Sequence, residues 1–167
     1  LITIISIFII TTELKKNKNL IISEEFTKSK ILLSQNKNQE AKELLLNIIN
    51  KKNKFYSPAA LNLIIDNKLI NDNGIIKYFD QLISLKKIKI EQRNLLRLKK
   101  SIYLMRDNAQ NKNDNEKEQL ILETLNPLIN KDSIWKISAL KLLKNFYSSI
   151  GEKNKSQEFE NIINNKL

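Results

Sequence analysis

The chain of 167 residues is 41% apolar and carries a formal net charge of +11, a length that suits one domain burying roughly two-thirds of its unfolded surface. It holds no Cys and no His, which removes disulfide frameworks, thiolate nucleophiles, the usual zinc ligand sets and His-dependent triads or general bases. Its only glycines are Gly74 and Gly151, too few for a phosphate-cradling loop or a dinucleotide fingerprint.

The positive excess is nearly all Lys, with Arg only at positions 93, 97 and 106, and it travels with heavy Ile and Asn usage. That trio is what AT-rich coding writes. Lys51–Lys54 is interrupted by Asn53 and Lys86–Lys89 by Ile88, so no block of like charge marks a nucleic-acid partner, and none is expected. The carboxylates Glu24, Glu25, Glu40, Glu43, Glu116, Glu118 and Glu123 are interleaved with Lys and Asn and read as solvated helix faces with scattered ion pairs. No catalytic residue, cofactor site or metal ligand is expected, and the chain does not read as an enzyme.

Leu1–Thr12 contains no charge and ends at Glu13, followed by Lys15, Lys16 and Lys18. As a helix it would be about 18 Å long, short of the roughly 20 residues that cross a hydrocarbon core. No basic region precedes it and no small-residue triplet follows it, against a cleaved signal peptide. Two readings stand: a truncated transmembrane anchor over residues 1–13 joined by a linker over 14–22, or an apolar segment packed on the core. The first fits a run that is apolar on all sides with no second run to pair with; the second fits a run of this length rich in β-branched residues.

Beyond Thr12 the apolar residues recur at helical spacing. Ala41, Leu44, Leu45 and Ile48 form one stripe, Ile76, Phe79 and Ile83 with Leu82 a second, Ile121, Leu122 and Leu125 a third, and Ser156, Phe159 and Ile163 a fourth. Ser57-Pro58 reads as an N-cap followed by Pro at the first helical position. Asn71–Gly74 and Ile150–Glu152 read as turns with Gly available for a left-handed residue. Asn108–Asn115 is a longer polar loop, and Asp132-Ser133 opens the next helix. The pattern predicts helices over 24–34, 38–50, 58–69, 74–85, 89–107, 115–126, 133–149 and 153–165, in four hairpins.

Aligning Ala41, Ile76, Glu118 and Ser156 also aligns the apolar positions three and seven residues later, with Asn36, Asn71, Asn113 and Gly151 at the preceding turns. The intervals are about 35 to 42 residues, near the 34 of tetratricopeptide arrays. A lone helical hairpin cannot hide its apolar face, and stacked neighbours supply the core. The expected fold is therefore an all-α, tetratricopeptide-like α-solenoid of about four hairpins over residues 23–167. Glu118, in a slot that wants a small residue, fits this least well.

LNPLINKDSIWKISALKLLKNFYSSIGEKNKSQEFENII, Leu125–Ile163, resembles the closing repeat of the single-pass proteins with a tetratricopeptide-like domain that include the ancillary subunit of the bacterial SecYEG translocon. EFTKSKILLSQNKNQEAKELLLNII is similar to the family's first repeat and QRNLLRLKKSIYLM to its third, so the likeness covers most of the chain past residue 23. The resemblance implies a single-pass protein of the bacterial inner membrane, tethered through Leu1–Thr12, whose periplasmic repeat domain acts as a protein-binding scaffold. Its partners would be the translocon, envelope chaperones or secreted clients. A homodimer through an end hairpin is a further expected assembly, and a soluble adaptor with no membrane anchor is the alternative.

Four residues stand out as candidate partner contacts. Arg93, Arg97 and Lys100 lie at i, i+4 and i+7 beside an expected buried stripe of Leu95, Leu98, Ile102 and Met105. They read either as a clamp for a partner carboxylate, since Arg offers a rigid bidentate fork, or as an exposed face paired with Asp66 or Asp80. Trp135, the only Trp, reads either as a partner-binding anchor or as packing between hairpins.

Overall fold

The computed structural model describes residues 2–106, 115–130 and 133–165, and among them it is all-α. The helices are α1 (Ile2–Ser34), α2 (Asn38–Asn50), α3 (Tyr56–Asp66), α4 (Asp72–Ile83), α5 (Ile90–Met105), α6 (Asn115–Ile129), α7 (Lys136–Ile150) and α8 (Lys153–Asn164). Asp132 and most of the expected 108–115 loop fall outside the described residues.

Helix α1 differs most from expectation. The stretch expected as a linker is helical, and the first helix runs without interruption from Ile2 to Ser34. No Gly or Pro stands anywhere in this span, and Leu and Lys are good helix formers, so polarity alone does not stop the helix. No helix among the described residues is long and apolar enough to cross a membrane.

Turn chemistry also departs from the expected positions. Gly74 sits inside α4, where its N–H donates to the Asn71 side chain at 3.0 Å; Asn71 thus caps the helix and Gly74 needs no left-handed backbone. The left-handed residues are Asn36, Lys52, Lys68 and Gly151. After α1, α3 and α7 they close the same motif: Lys37 N–H to Leu32 C=O, Leu69 N–H to Ile64 C=O and Glu152 N–H to Tyr147 C=O, at 2.9 to 3.0 Å. Ser57 is no cap either. Asn53 Oδ1 accepts from the N–H groups of Phe55 and Tyr56 at the start of α3, while the buried Ser57 hydroxyl donates to Ile48 C=O at 2.7 Å and ties α3 to the end of α2. Helix α6 continues through Pro127 to Ile129, which places Leu128 in the core.

The chain divides into two compact units, Leu1–Tyr78 and Phe79–Leu167. In the first, α2 packs along α1, and α3 packs on α2 and reaches over it to α1. The core is Ile22 and Leu32 of α1, Ala41, Leu45, Ile48 and Ile49 of α2, and Ala60, Leu61 and Ile64 of α3; each large side chain there contributes about 1.5–3 kcal/mol. In the second unit α5 pairs with α6, α7 packs on α6 and reaches α5, and α8 closes on α7. Its core holds Ile121, Leu125 and Leu128 of α6 with Ala139, Leu140 and Leu143 of α7, and the Tyr147 and Phe159 rings stack at 5.7 Å to join α7 to α8. In α4 the buried set is Ile75, Phe79 and Leu82: Phe79 and Leu82 are as expected, while Ile75 takes the place of Ile76, and Ile76 and Ile83 are half-buried.

Gly151 has φ +88°, and a Cβ built there meets nothing within 4 Å. Gly151→Ala should therefore lower stability by about 1 kcal/mol through backbone conformation alone, measured as a shift in the urea midpoint with unchanged helix content.

Candidate protein-binding surface

The basic residues of α5 do not form an outward stripe. Arg93, Arg97, Lys100 and Leu104 share one face, and the buried residues Leu96, Lys100, Ser101 and Leu104 lie on or beside it. Of the apolar stripe expected to be inside, only Leu98 is buried, while Ile102 is 46% exposed. The helix is turned so that the basic row lies on its inward side. Long Lys and Arg stems cover apolar surface as well as a Leu does when their heads find polar partners, and Ser101, fully buried with its hydroxyl on Arg97 C=O, allows closer approach than a large side chain would.

The three cations have different surroundings. Lys100, 4% exposed, donates to Asp80 Oδ1 at 2.7 Å, so its charge is already matched, by one of the two acids expected for it. Arg97 donates through Nη1 to Asn94 Oδ1 at 2.9 Å. Arg93 donates through Nη2 to Ile88 C=O at 3.2 Å, and its Nε is buried with no partner. Among the described residues neither Arg meets a carboxylate. Burial, and then the charge of Arg93 one turn away, push the Arg97 guanidinium below its ordinary value, though it stays charged at neutral pH.

A chain of hydrogen bonds fixes this end of α5 against the start of α7. Ser133 Oγ accepts from Asn94 Nδ2 and from Trp135 N–H, each at 3.2 Å, and lies 3.4 Å from Glu91 Oε2, to which it donates. Trp135 Nε1 donates to Glu91 C=O at 3.1 Å. Trp135 is thus half-buried, at the N-cap of α7 and not within its body, and its indole N–H is spent on α5. The arrangement brings Arg97 and Trp135 into one network through Asn94 and Ser133, with Arg93 beside Arg97 and Lys100 turned away to Asp80.

Glu118, in the slot that suits a small residue, has its own solution. Its carboxylate accepts from Tyr147 OH at 2.8 Å and from Lys155 Nζ at 3.0 Å, linking α6 to α7 and α8. Partial burial alone would raise the Glu118 carboxyl, but the hydrogen bonds from Tyr147 and Lys155 and the Lys155 charge together hold it below its ordinary value. Burial first, then donation to Glu118, lifts the Tyr147 phenol well above the ordinary tyrosine range. Sequence reasoning placed Glu118 among solvated carboxylates; Tyr147, one residue after Phe146 in an apolar run, gave no sign of an acidic partner twenty-nine positions earlier.

Comparison of the chain with models of known protein families, with curated proteins and with solved structures gave no match.

A carboxyl held below its ordinary value stabilises the fold at neutral pH, and that contribution disappears as pH falls through the native value. Glu118→Gln should cost about 1 kcal/mol at pH 7, chiefly through loss of the charge-assisted Tyr147 bond. The urea midpoints of variant and wild type should converge as the pH drops below the ordinary carboxylate value of about 4.3.

Proposed function

We propose that the chain is a membrane-tethered scaffold that binds acidic segments of other proteins, a binding protein without catalytic chemistry, resembling the ancillary SecYEG translocon subunit and assisting secreted or envelope proteins. The observation that carries the reading is the Arg93–Arg97 pair: two half-buried guanidinium groups one turn apart, held by neutral acceptors and facing no carboxylate among the described residues. Leaving guanidinium donors unmatched is costly, and a partner's carboxylate would complete them with forked, charge-assisted bonds. Trp135, fixed by its Nε1 bond to Glu91, would supply a rigid aromatic edge to the same contact. Lys100 takes no part, since Asp80 already neutralises it.

The tetratricopeptide-like reading rests on the helix order within each unit. A third helix lying on the second and touching the first, α3 over α2 to α1 and α7 over α6 to α5, is what stacked hairpins require. The tether, and with it a single-pass place in the bacterial inner membrane with the helical domain in the periplasm, rests on the uncharged start of α1 and on the family resemblance. The alternative is an adaptor with no membrane anchor; no described helix is long and apolar enough to cross a bilayer.

Replacing both Arg93 and Arg97 by Ala should weaken capture of an Asp- and Glu-rich peptide by roughly five-fold or more, with helicity unchanged, and the deficit should shrink at high salt, where screening already blunts the wild type. Lys at both sites keeps the charge but loses the fork, so it should restore only part of the affinity. Capture left intact by the double Ala variant would reduce the pair to a structural feature of α5.

A further inference from the structure

The end of the first unit from which α1 emerges carries a surface that protein binding does not absorb. Helix α2 runs back along α1 after the Gln35–Lys37 turn, so the loop that follows it, residues 51–55, comes to lie beside the middle of α1. Asn53 Nδ2 donates to Asn19 Oδ1 at 2.8 Å, and Lys51 Nζ meets the Glu25 carboxylate at 2.6 Å. On the N-terminal side of this junction α1 is exposed at every residue from Ile10 to Ile21. Lys15, Lys16 and Lys18 on that stretch, and Lys51, Lys52 and Lys54 on the loop, therefore gather around one end of the unit. The acids of this stretch of α1 are Glu13, Glu24 and Glu25, and Glu25 is already paired. Directly after the loop lysines stands Phe55, 60% exposed, with Lys54 Nζ 4.8 Å from its ring centre.

Distances along the helix match a bilayer. Thr12, the last residue of the uncharged block, lies seven residues before Asn19, about 10 Å at 1.5 Å per residue. A headgroup layer is roughly 5–8 Å thick and the Debye length at physiological salt is about 8 Å. With the uncharged block in hydrocarbon, the α1 lysines lie in the headgroups, and the loop at the level of Asn19 lies within reach of them. An exposed aromatic ring next to a cluster of lysines is the composition of a membrane-interface contact.

We propose that Lys15, Lys16 and Lys18 of α1 together with the Lys51–Phe55 loop form a docking face for an anionic lipid surface, on which the first unit rests while the uncharged start of α1 enters the bilayer. This builds on the tether reading above and adds that the folded unit itself, through its loop, touches the headgroups.

The test uses the full chain and vesicles of phosphatidylcholine, alone or mixed equally with phosphatidylglycerol. The wild type should bind both and prefer the anionic vesicles. Lys52→Gln with Lys54→Gln, both at exposed positions, should lower affinity for anionic vesicles by roughly 25-fold, at about five-fold per lysine, and leave affinity for neutral vesicles unchanged. Because the chain has no Cys, Phe55→Cys gives a single site for a nitroxide. With anionic vesicles that label should become shielded from a water-soluble relaxant, while a label on Gln35→Cys, at the opposite end of the α1–α2 hairpin, should stay accessible.

Equal binding by the Gln variant, or equal accessibility of the two labels, would overturn the docking face even if the tether stands. Binding to anionic vesicles alone, lost in the Gln variant, would support the face and count against insertion. Binding to neither vesicle, with retention on heparin or nucleic acid, would overturn both and assign the lysines to a polyanion.

Discussion

The seating of one long helix governs the first unit. Helix α1 has thirty-three residues, yet among its described side chains the buried ones, Ile22, Ser29 and Leu32, belong to its second half. That half is held by α2 and α3, whereas residues 10–21 of the first half and the junction are exposed, and a short isolated helix is marginal in water. The exposed part is therefore an extension of a packed helix, and its direction and rotation are set by how Ile22, Ser29 and Leu32 sit in the core. An uncharged block on such an extension is carried at a set distance from the domain, not on a flexible lead.

The same packing makes demands on small residues. Ser29 in α1, Ala60 in α3, Ser101 in α5 and Ala139 in α7 are all fully buried, one small residue in each of these four helices. For α3 to touch α1 across α2, or α7 to touch α5 across α6, the helices must approach closely, and a large side chain at these positions would hold them apart. Where a small residue is absent from a second helix, polar chemistry takes its place: Glu118 fills its slot by gathering Tyr147 and Lys155.

Helix number and most boundaries were legible from the 3.6-residue period, because that signal is carried by Leu and Ile, which dominate burial energetics. Three features were not. The continuity of α1 was hidden by composition: the polar stretch around Lys15–Asn19 resembles a linker, although it contains no helix breaker. Gly151 was legible as a left-handed turn residue, but the others were hidden by identity, since Asn36 and Lys68 do what the sequence pattern assigned to Gly74. The rotation of α5 was hidden because period alone does not say which face turns inward when Arg93, Arg97 and Lys100 supply long apolar stems on one side and Leu95, Ile102 and Met105 stand on the other; the buried pairing of Lys100 with Asp80 and the small Ser101 decide it. As a consequence, the candidate partner contact narrows from a row of three cations to the Arg93–Arg97 pair with Trp135 beside it.

The central claim is that the apolar start of the chain and the domain's first packing helix are one rigid element. Pulsed electron spin resonance between nitroxides on Ile10→Cys and Lys30→Cys tests it, both sites being exposed. Twenty residues of uninterrupted helix separate the two backbones by about 30 Å, so the account predicts a single narrow distance distribution near that value, with or without vesicles. A broad distribution weighted to shorter distances would show a hinge within residues 14–22 and contradict the account.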